Sequence, residues 1–326
     1  MAAIFMAACD SIVYEDEGDC SITYRVKFRY DMNMKFADAL AHEVHSIALY
    51  VFDAEGKYVD CLTEQDSTLL TDGYLMPLPL PPGSYRLVAW CGVGNQESFS
   101  LPELQRGSST VNDLYCRMKL KHDSLGAAYS DCDLKPLFHG MSIAELGSTE
   151  GVYTYPMTLT KNTNVVRVQL QQLSGEAIDV EGFTFTITDS NATMDYANNI
   201  VGNDPLIYYA WYTEMASTDV DNNVRGGVQT AVNMALAELT TGRLMADHNT
   251  RLNVFTPTGR CIISIPLIKY ALLVKGNYHK AMSDQEYLDR QDEYNLTFFL
   301  DRNLSWINTN IYINSWEVVL QEEDIE

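Results

Sequence analysis

The segment from Ile22 to Tyr30 alternates strictly between apolar and polar residues. Ile22, Tyr24, Val26, Phe28 and Tyr30 take one parity, and Thr23, Arg25, Lys27 and Arg29 take the other. Side chains alternate faces along a strand, whereas a helix repeats every ~3.6 residues, so this pattern seats one face in a core and leaves the other in water only as a β-strand. The same period recurs. Val166, Val168 and Leu170 alternate with Arg167, Gln169 and Gln171, and Phe183, Phe185 and Ile187 alternate with Thr184, Thr186 and Thr188. Continuous apolar runs at Ser46 to Phe52, Tyr85 to Cys91, Cys261 to Ile265 and Leu296 to Leu300 read as more buried strands. Turn chemistry separates them, with Asp53-Ala54-Glu55-Gly56 after one run and Pro81-Pro82-Gly83 before another. Many short strands between turns predict an all-β chain built of β-sandwiches with a few short helices.

At 326 residues and 46% apolar, the chain is long enough for two tandem sandwiches. Gly147 to Val152 reads as a loop. The division is placed near Leu159 to Asn164, giving 1–8 as a residual signal, 9–160 as the first domain and 161–326 as the second. Helix signals are sparse. Ser283-Asp284-Gln285-Glu286 is a capping box opening a helix to about Tyr294, and Thr110 to Leu120 reads as another. Ala231 to Leu239 fits either period. Near the C-terminus Ile307, Ile311 and Ile313 share one parity, and Trp316, Val318 and Leu320 share the other. A switch at Asn314-Ser315 implies a bulge or a strand that changes partner.

Charge and motifs exclude several functions. With 44 acidic against 22 basic residues and a formal net charge of -22, the surface repels phosphate, so neither nucleic acid nor an anionic lipid surface is an expected partner. His42-Glu43-Val44-His45 spaces its histidines three apart, where the helical zinc motif needs four. Asp219-Val220-Asp221-Asn222-Asn223 lacks the glycine and twelfth-position Glu of a calcium loop, having Val224 and Thr230 there. Gly92-Val93-Gly94 lacks the third glycine of a dinucleotide fingerprint, since Glu97 stands in its place. No catalytic residue, metal or cofactor is therefore expected. Tyr208-Tyr209-Ala210-Trp211-Tyr212 reads as core or subunit contact; exposed, it would offer a stacking surface to a glycan.

Met6-Ala7-Ala8-Cys9 closes a short apolar run and precedes an acidic stretch, as at the end of a lipoprotein signal. The run is short and lacks a basic start, which implies a true start further upstream. On these residues alone, lipid attachment at Cys9 and an ordinary buried cysteine both stand. Removing Cys9 leaves Cys20, Cys61, Cys91, Cys116, Cys132 and Cys261, whose spacing assigns no disulfide pattern. Cys91 and Cys261, inside strand-like runs, read as buried thiols.

Several segments together resemble a known family. They are Cys9-Asp10-Ser11-Ile12, Tyr14-Glu15-Asp16, Asp19-Cys20, Tyr30 to Ala39, Leu49-Tyr50-Val51-Phe52-Asp53, Leu80-Pro81-Pro82-Gly83-Ser84-Tyr85, Ala89-Trp90-Cys91-Gly92, Gln285 to Gln291, and Ile311-Tyr312-Ile313-Asn314-Ser315-Trp316. In order and spacing this is similar to the FimB-type fimbrial anchor subunits of Bacteroidales. The resemblance implies two transthyretin-like sandwiches in a surface-exposed outer-membrane lipoprotein at the base of a fimbria. Cys9 matches the lipidated position, and a stalk pilin is the partner. It also implies donor-strand pairing in place of catalysis. An anchor would keep its own first strand, at Ile22, Tyr24, Val26 and Phe28, and donate a strand through Ile311, Ile313, Trp316, Val318 and Leu320. For that last segment, completion of its own domain is an equal reading. The alternative function is a surface adhesin that binds glycan or host protein through exposed aromatics.

Overall fold

A computed structural model describes residues 21–65, 73–94, 98–172, 176–220, 230–276, 279–314 and 316–319. The first sheet comprises β1 (Ile22–Met32), β2 (Ser46–Phe52), β3 (Tyr58–Gln65), β4 (Met76–Pro77), β5 (Gly83–Cys91), β10 (Phe138–Leu146) and β11 (Gly151–Lys161). Their order is β3-β2-β5-β10-β11-β1-β4. The sheet folds over on itself at one seam. β10 pairs with β5 along its whole length but with β11 only at Phe138↔Lys161 and His139↔Thr160. From there the two strands diverge, and a single core fills the space between the two half-sheets. That core holds Tyr24, Val26, Phe28 and Tyr30 of β1, Leu49 and Val51 of β2, Leu87 and Ala89 of β5, and Met157 and Leu159 of β11. The seam needs a residue without a side chain. A Cβ on Gly140 would lie 2.7 Å from Leu159 Cδ2 and 2.9 Å from Met157 Cγ.

The turn after β2 shows its local cause. Gly56 takes φ 79°, its N–H bonds the Asp53 carbonyl, and the Asp53 carboxylate accepts from Lys57 N. A glycine tolerates that left-handed backbone at no steric cost, and an aspartate at the turn's first position satisfies an otherwise open amide.

The second sheet begins just past the first, across Asn162. It is ordered β16 (Tyr212–Val220), β17 (Thr230–Gly242), β12 (Thr163–Gln172), β20 (Glu293–Leu300), β21 (Trp306–Ile313) and β22 (Trp316–Val319). A third sheet faces it, ordered β19 (Cys261–Pro266), β18 (Arg251–Phe255), β13 (Thr184–Asp189), β15 (Leu206–Tyr209), β9 (Ala128–Ser130) and β8 (Lys121–His122). A small sheet joins β14 (Thr193–Asp195), β7 (Tyr115–Met118) and β6 (Phe99–Ser100). Thus β7 and β9, from the first half of the chain, pair with strands of the second half, and each brings a neighbour, β6 and β8, into the same sheet. One core cluster runs through this half and reaches the outer faces of β2 and β5 at Tyr50, Phe52, Val88 and Trp90. The apolar runs of β2 and β5 are continuous because both faces are covered.

Among the described residues three short α-helices complete the fold: α1 (Leu40–Glu43), α2 (Leu267–Leu273) and α3 (Asp284–Arg290). Ser283 caps α3 through its hydroxyl, which accepts from Glu286 N at 3.0 Å. This helix ends at Arg290, and Tyr294 belongs to β20. The helix expected over Thr110 to Leu120 is instead a single 3-10 turn, Val111–Asp113, followed by β7. The Thr110–Asp113 capping pair that signals a helix start serves only that turn. Ala231 to Leu239 resolves as strand within β17. Cys91 is buried, but Cys261 is exposed, because it opens the edge strand β19. The five described cysteines are all free thiols.

Polar contacts stitch the two halves. Lys161 Nζ bonds Glu43 at 2.8 Å and Asp292 at 2.6 Å. Burial opposes its charge, yet the two carboxylates hold its pKa above the usual lysine value. Arg290 reaches the carbonyl of Asp31 at 3.1 Å and stacks over Phe36. Asn162 and Asn198 exchange amide bonds inside the junction. His139 lies against Trp90, with its Nε2 2.9 Å from the Tyr196 carbonyl. Burial pushes the His139 imidazole down to about 4.

Two outcomes follow from this packing. Gly140→Val will force Leu159 and Met157 off their rotamers and cost about 1–3 kcal/mol, read as a lowered midpoint in urea. His139 stays neutral in the fold down to about pH 4, while the unfolded residue protonates near 6.5. Between those values the unfolded state binds the extra proton, so the contribution is complete above pH 6.5 and is lost as pH falls through 4. It amounts to roughly 3 kcal/mol. His139→Gln should therefore lose less stability than the wild type between pH 6.5 and 4 in parallel urea titrations.

Candidate functional site

The first strand is held on both edges. On one side β1 runs parallel to β11, in unbroken register from Ile22↔Gly151 to Arg29↔Thr158. On the other it meets β4 at Arg25↔Pro77 and Val26↔Met76, and Leu78 N donates to the Tyr24 carbonyl at 2.8 Å. A two-residue edge strand containing proline offers little for a further strand to pair with. Tyr24, Val26, Phe28 and Tyr30 are all nearly solvent-free, and Ile22 packs partly buried at the rim. Tyrosines close the gap where β10 and β11 diverge. Tyr155 OH donates to the Glu145 carbonyl at 2.6 Å, and Tyr24 OH donates to the Gly147 carbonyl. The sandwich is filled by its own first strand.

The C-terminal segment is a hairpin. β21 pairs with β20, and β22 pairs back on β21 from Ile313↔Trp316 to Asn310↔Val319. The parity switch expected as a bulge or a change of partner is a chain reversal, because a tight turn also exchanges the two parities. Asn314 takes φ 48°, its N–H bonds the Asn295 carbonyl, and its side chain accepts from Asn295 N at 2.8 Å. Ile313 is fully buried against the second core. Ile311, Trp316 and Val318 are described by backbone alone, and Leu320 and Cys9 lie outside the described residues. β22 is the outermost strand of its sheet. The structure thus brings Ile311, Ile313, Trp316 and Val318 together in one hairpin and puts Ile22, Tyr24, Val26 and Phe28 in the other sandwich.

The remaining motifs are structural where they are described. Glu43 ends α1 and pairs with Lys161, and β2 starts at Ser46. Asp219 and Val220 end β16, and residues 221–223 lie outside the described set. Gly92 is the turn after β5, bonding the Ser46 carbonyl. Among the described residues no three His, Cys, Asp or Glu side chains cluster as a metal site. The aromatic stretch divides. Tyr208 is buried, with its hydroxyl donating to Asn191 Oδ1 and accepting from Gly242 N. Trp211 and Tyr212 are 37% and 42% exposed. The junction residues Lys161, Asp292, His139 and Arg290 carry no local sequence signal, because each owes its role to a partner far along the chain.

Comparison with known proteins agrees with this architecture. A family model for the fimbrillin-A-associated anchor proteins Mfa1 and Mfa2 matches residues 16–322. The minor fimbrium anchoring subunit Mfa2 of Porphyromonas gingivalis is 25% identical over 270 residues, covering 81% of this chain and 75% of that protein. A solved structure from Bacteroides thetaiotaomicron, described as a candidate adhesin, is 34% identical at a TM-score of 0.80, covering 94% of this chain and all of that one. The solved fimbrial anchor Mfa2 of P. gingivalis superimposes at a TM-score of 0.66 with 19% identity, over 93% of this chain and all of that one, and shares the fold. A match that spans both sandwiches places this chain in the fimbrillin-A-associated anchor family, a family of structural fimbrial proteins and not of enzymes.

Proposed function

We propose that this protein is the anchor of a donor-strand-assembled fimbria, tethered to the outer membrane by lipid on Cys9, exposed at the cell surface and engaged by a stalk pilin. The observation that carries this reading is β1 in its own sandwich. Where a growing fimbria fills each subunit's open groove with a neighbour's strand, a subunit whose groove is already filled by Tyr24, Val26, Phe28 and Tyr30 accepts none, and growth stops there. The outer edge of β22, with no partner strand among the described residues, is where a pilin would engage, either by pairing on it or by taking up the segment from Ile311 to Leu320 as a donated strand. The sandwich from residues 9–160, less β6 to β9, serves as the membrane-side unit, and residues 161–326, with β6 to β9 added, serve as the pilin-side unit. The partial exposure of Trp211 and Tyr212 favours, as a second reading, an adhesin that stacks on glycan.

Deleting the gene should release fimbriae from the cell or change their length; attached fimbriae of normal length overturn the anchor role. A radiolabelled fatty acid should mark the wild type and not Cys9→Ala, and equal labelling removes the tether. A photo-crosslinking amino acid placed at Val318 should capture the stalk pilin; crosslinks confined to this chain would assign the hairpin to its own domain.

A further inference from the structure

The charge of this chain is unevenly placed. Positions facing outward from β1 are Thr23, Arg25, Lys27 and Arg29, and those beside them on β11 are Val152, Thr154, Pro156 and Thr158. The parallel register sets them in four rows: Thr23 with Val152, Arg25 with Thr154, Lys27 with Pro156, and Arg29 with Thr158. In a chain with two acids for every base, these eight positions hold three cations, with the carboxylates of Asp31 and Asp38 bordering the face at its Arg29 end. Arg25 Nε donates to Thr154 Oγ1 at 3.0 Å. Among the described residues no carboxylate lies within ion-pair distance of Arg25 or Lys27. Arg29 has only loose pairs, at 3.7 Å to Asp31 and 3.9 Å to Asp38, and its side chain is half exposed.

Net charge predicts repulsion from an anionic surface, but the field at one face is set locally. Ions screen charges beyond about 10 Å at 0.1 M salt, so the acids on the other faces weigh little here. We propose that this outward face of β1 and β11 docks on the phosphate-bearing headgroups of the membrane surface. It takes from the proposed function only that Cys9 brings the chain to a bilayer. Charge complementarity selects the occupant. Exposed Val152 and Pro156 lie in the same face as the cations, the mixture of apolar and basic groups suited to a headgroup layer. Reach also fits, since the chain from Cys9 to Ile22 spans at most about 45 Å. Each cation near an anionic membrane adds only about fivefold in affinity, a weak interaction energy for a free protein that grows as salt falls. Acting on a chain already confined at the surface, that energy sets orientation, because tethering replaces a bimolecular step with an intramolecular one.

The test uses the full chain carrying Cys9→Ala, so that no lipid contributes. It is floated with phosphatidylcholine vesicles containing about 30% phosphatidylglycerol, or none, at low and high salt. Association is expected with the anionic vesicles alone, falling as salt rises. Arg25→Gln, Lys27→Gln and Arg29→Gln combined should weaken it on the order of tenfold or more, with an unchanged melting temperature. The single exposed change Lys27→Glu should weaken it without touching the core. Removing three cations elsewhere, by Lys57→Gln, Lys135→Gln and Arg302→Gln, should leave it unchanged. Equal binding to neutral vesicles, equal loss in that control, or no association at low salt overturns the proposal. Fatty-acid labelling of Cys9 is read separately, so failure of the tether and failure of this surface are distinguishable.

Discussion

The parallel contact between β1 and β11 is what closes the first sandwich. The β10–β11 hairpin opens at Gly140, so β11 has one strand partner along most of its length, and that partner arrives from the far end of the sequence. β1 supplies it with a ladder of backbone hydrogen bonds and fills the core with two tyrosines, a valine and a phenylalanine. Deleting such a strand would expose a row of unpaired amides together with an apolar trench, and each unsatisfied buried polar group carries a desolvation cost. The short strand β4, the tyrosine bonds across the divergence and the absent side chain at Gly140 are arranged around that insertion.

Joining two sandwiches is a different problem, solved with both apolar and polar groups. Tyr50, Phe52, Val88 and Trp90 turn away from the first core and join the second, so the outer face of one sheet is an inner face of the whole. Around this contact Lys161 takes two carboxylates from opposite halves, and His139 and the Asn162–Asn198 pair satisfy groups that the contact buries. Removing one member of such a set strands the other without water. Strands β7 and β9 cross from the first half of the sequence to pair with β14 and β15 of the second, which makes the connection continuous backbone as well as side chain.

What was legible in the sequence followed from periodicity. The alternation at Ile22 to Tyr30 and at Val166 to Leu170 marks strands with one wet face, and the unbroken runs of β2 and β5 mark strands with none. The capping box at Ser283 marks a helix start, because its signal is local. Register and partner are not local. Nothing in β1 states that its neighbour is β11, or that the pairing is parallel. The Thr110–Asp113 pair caps a single turn because the next residues belong to a sheet completed by β14. At the terminal hairpin the parity change was visible, but a bulge and a two-residue reversal leave the same trace, and the turn at Asn314 decides between them. Cys261 read as buried because a run of apolar residues does not announce which strand is an edge.

Direction of pairing has a mechanical consequence for β1. Because β1 and β11 run parallel, a pull on the chain ahead of Ile22, opposed through Lys161 and the second sandwich, draws the two strands lengthwise past each other. Every rung between Ile22 and Arg29 is then loaded in shear at once, and the strand cannot peel away one bond at a time. The second sandwich repeats the geometry, since its first strand β12 lies parallel to β20. A subunit wired this way transmits tension along its length with its weakest bonds sharing the load.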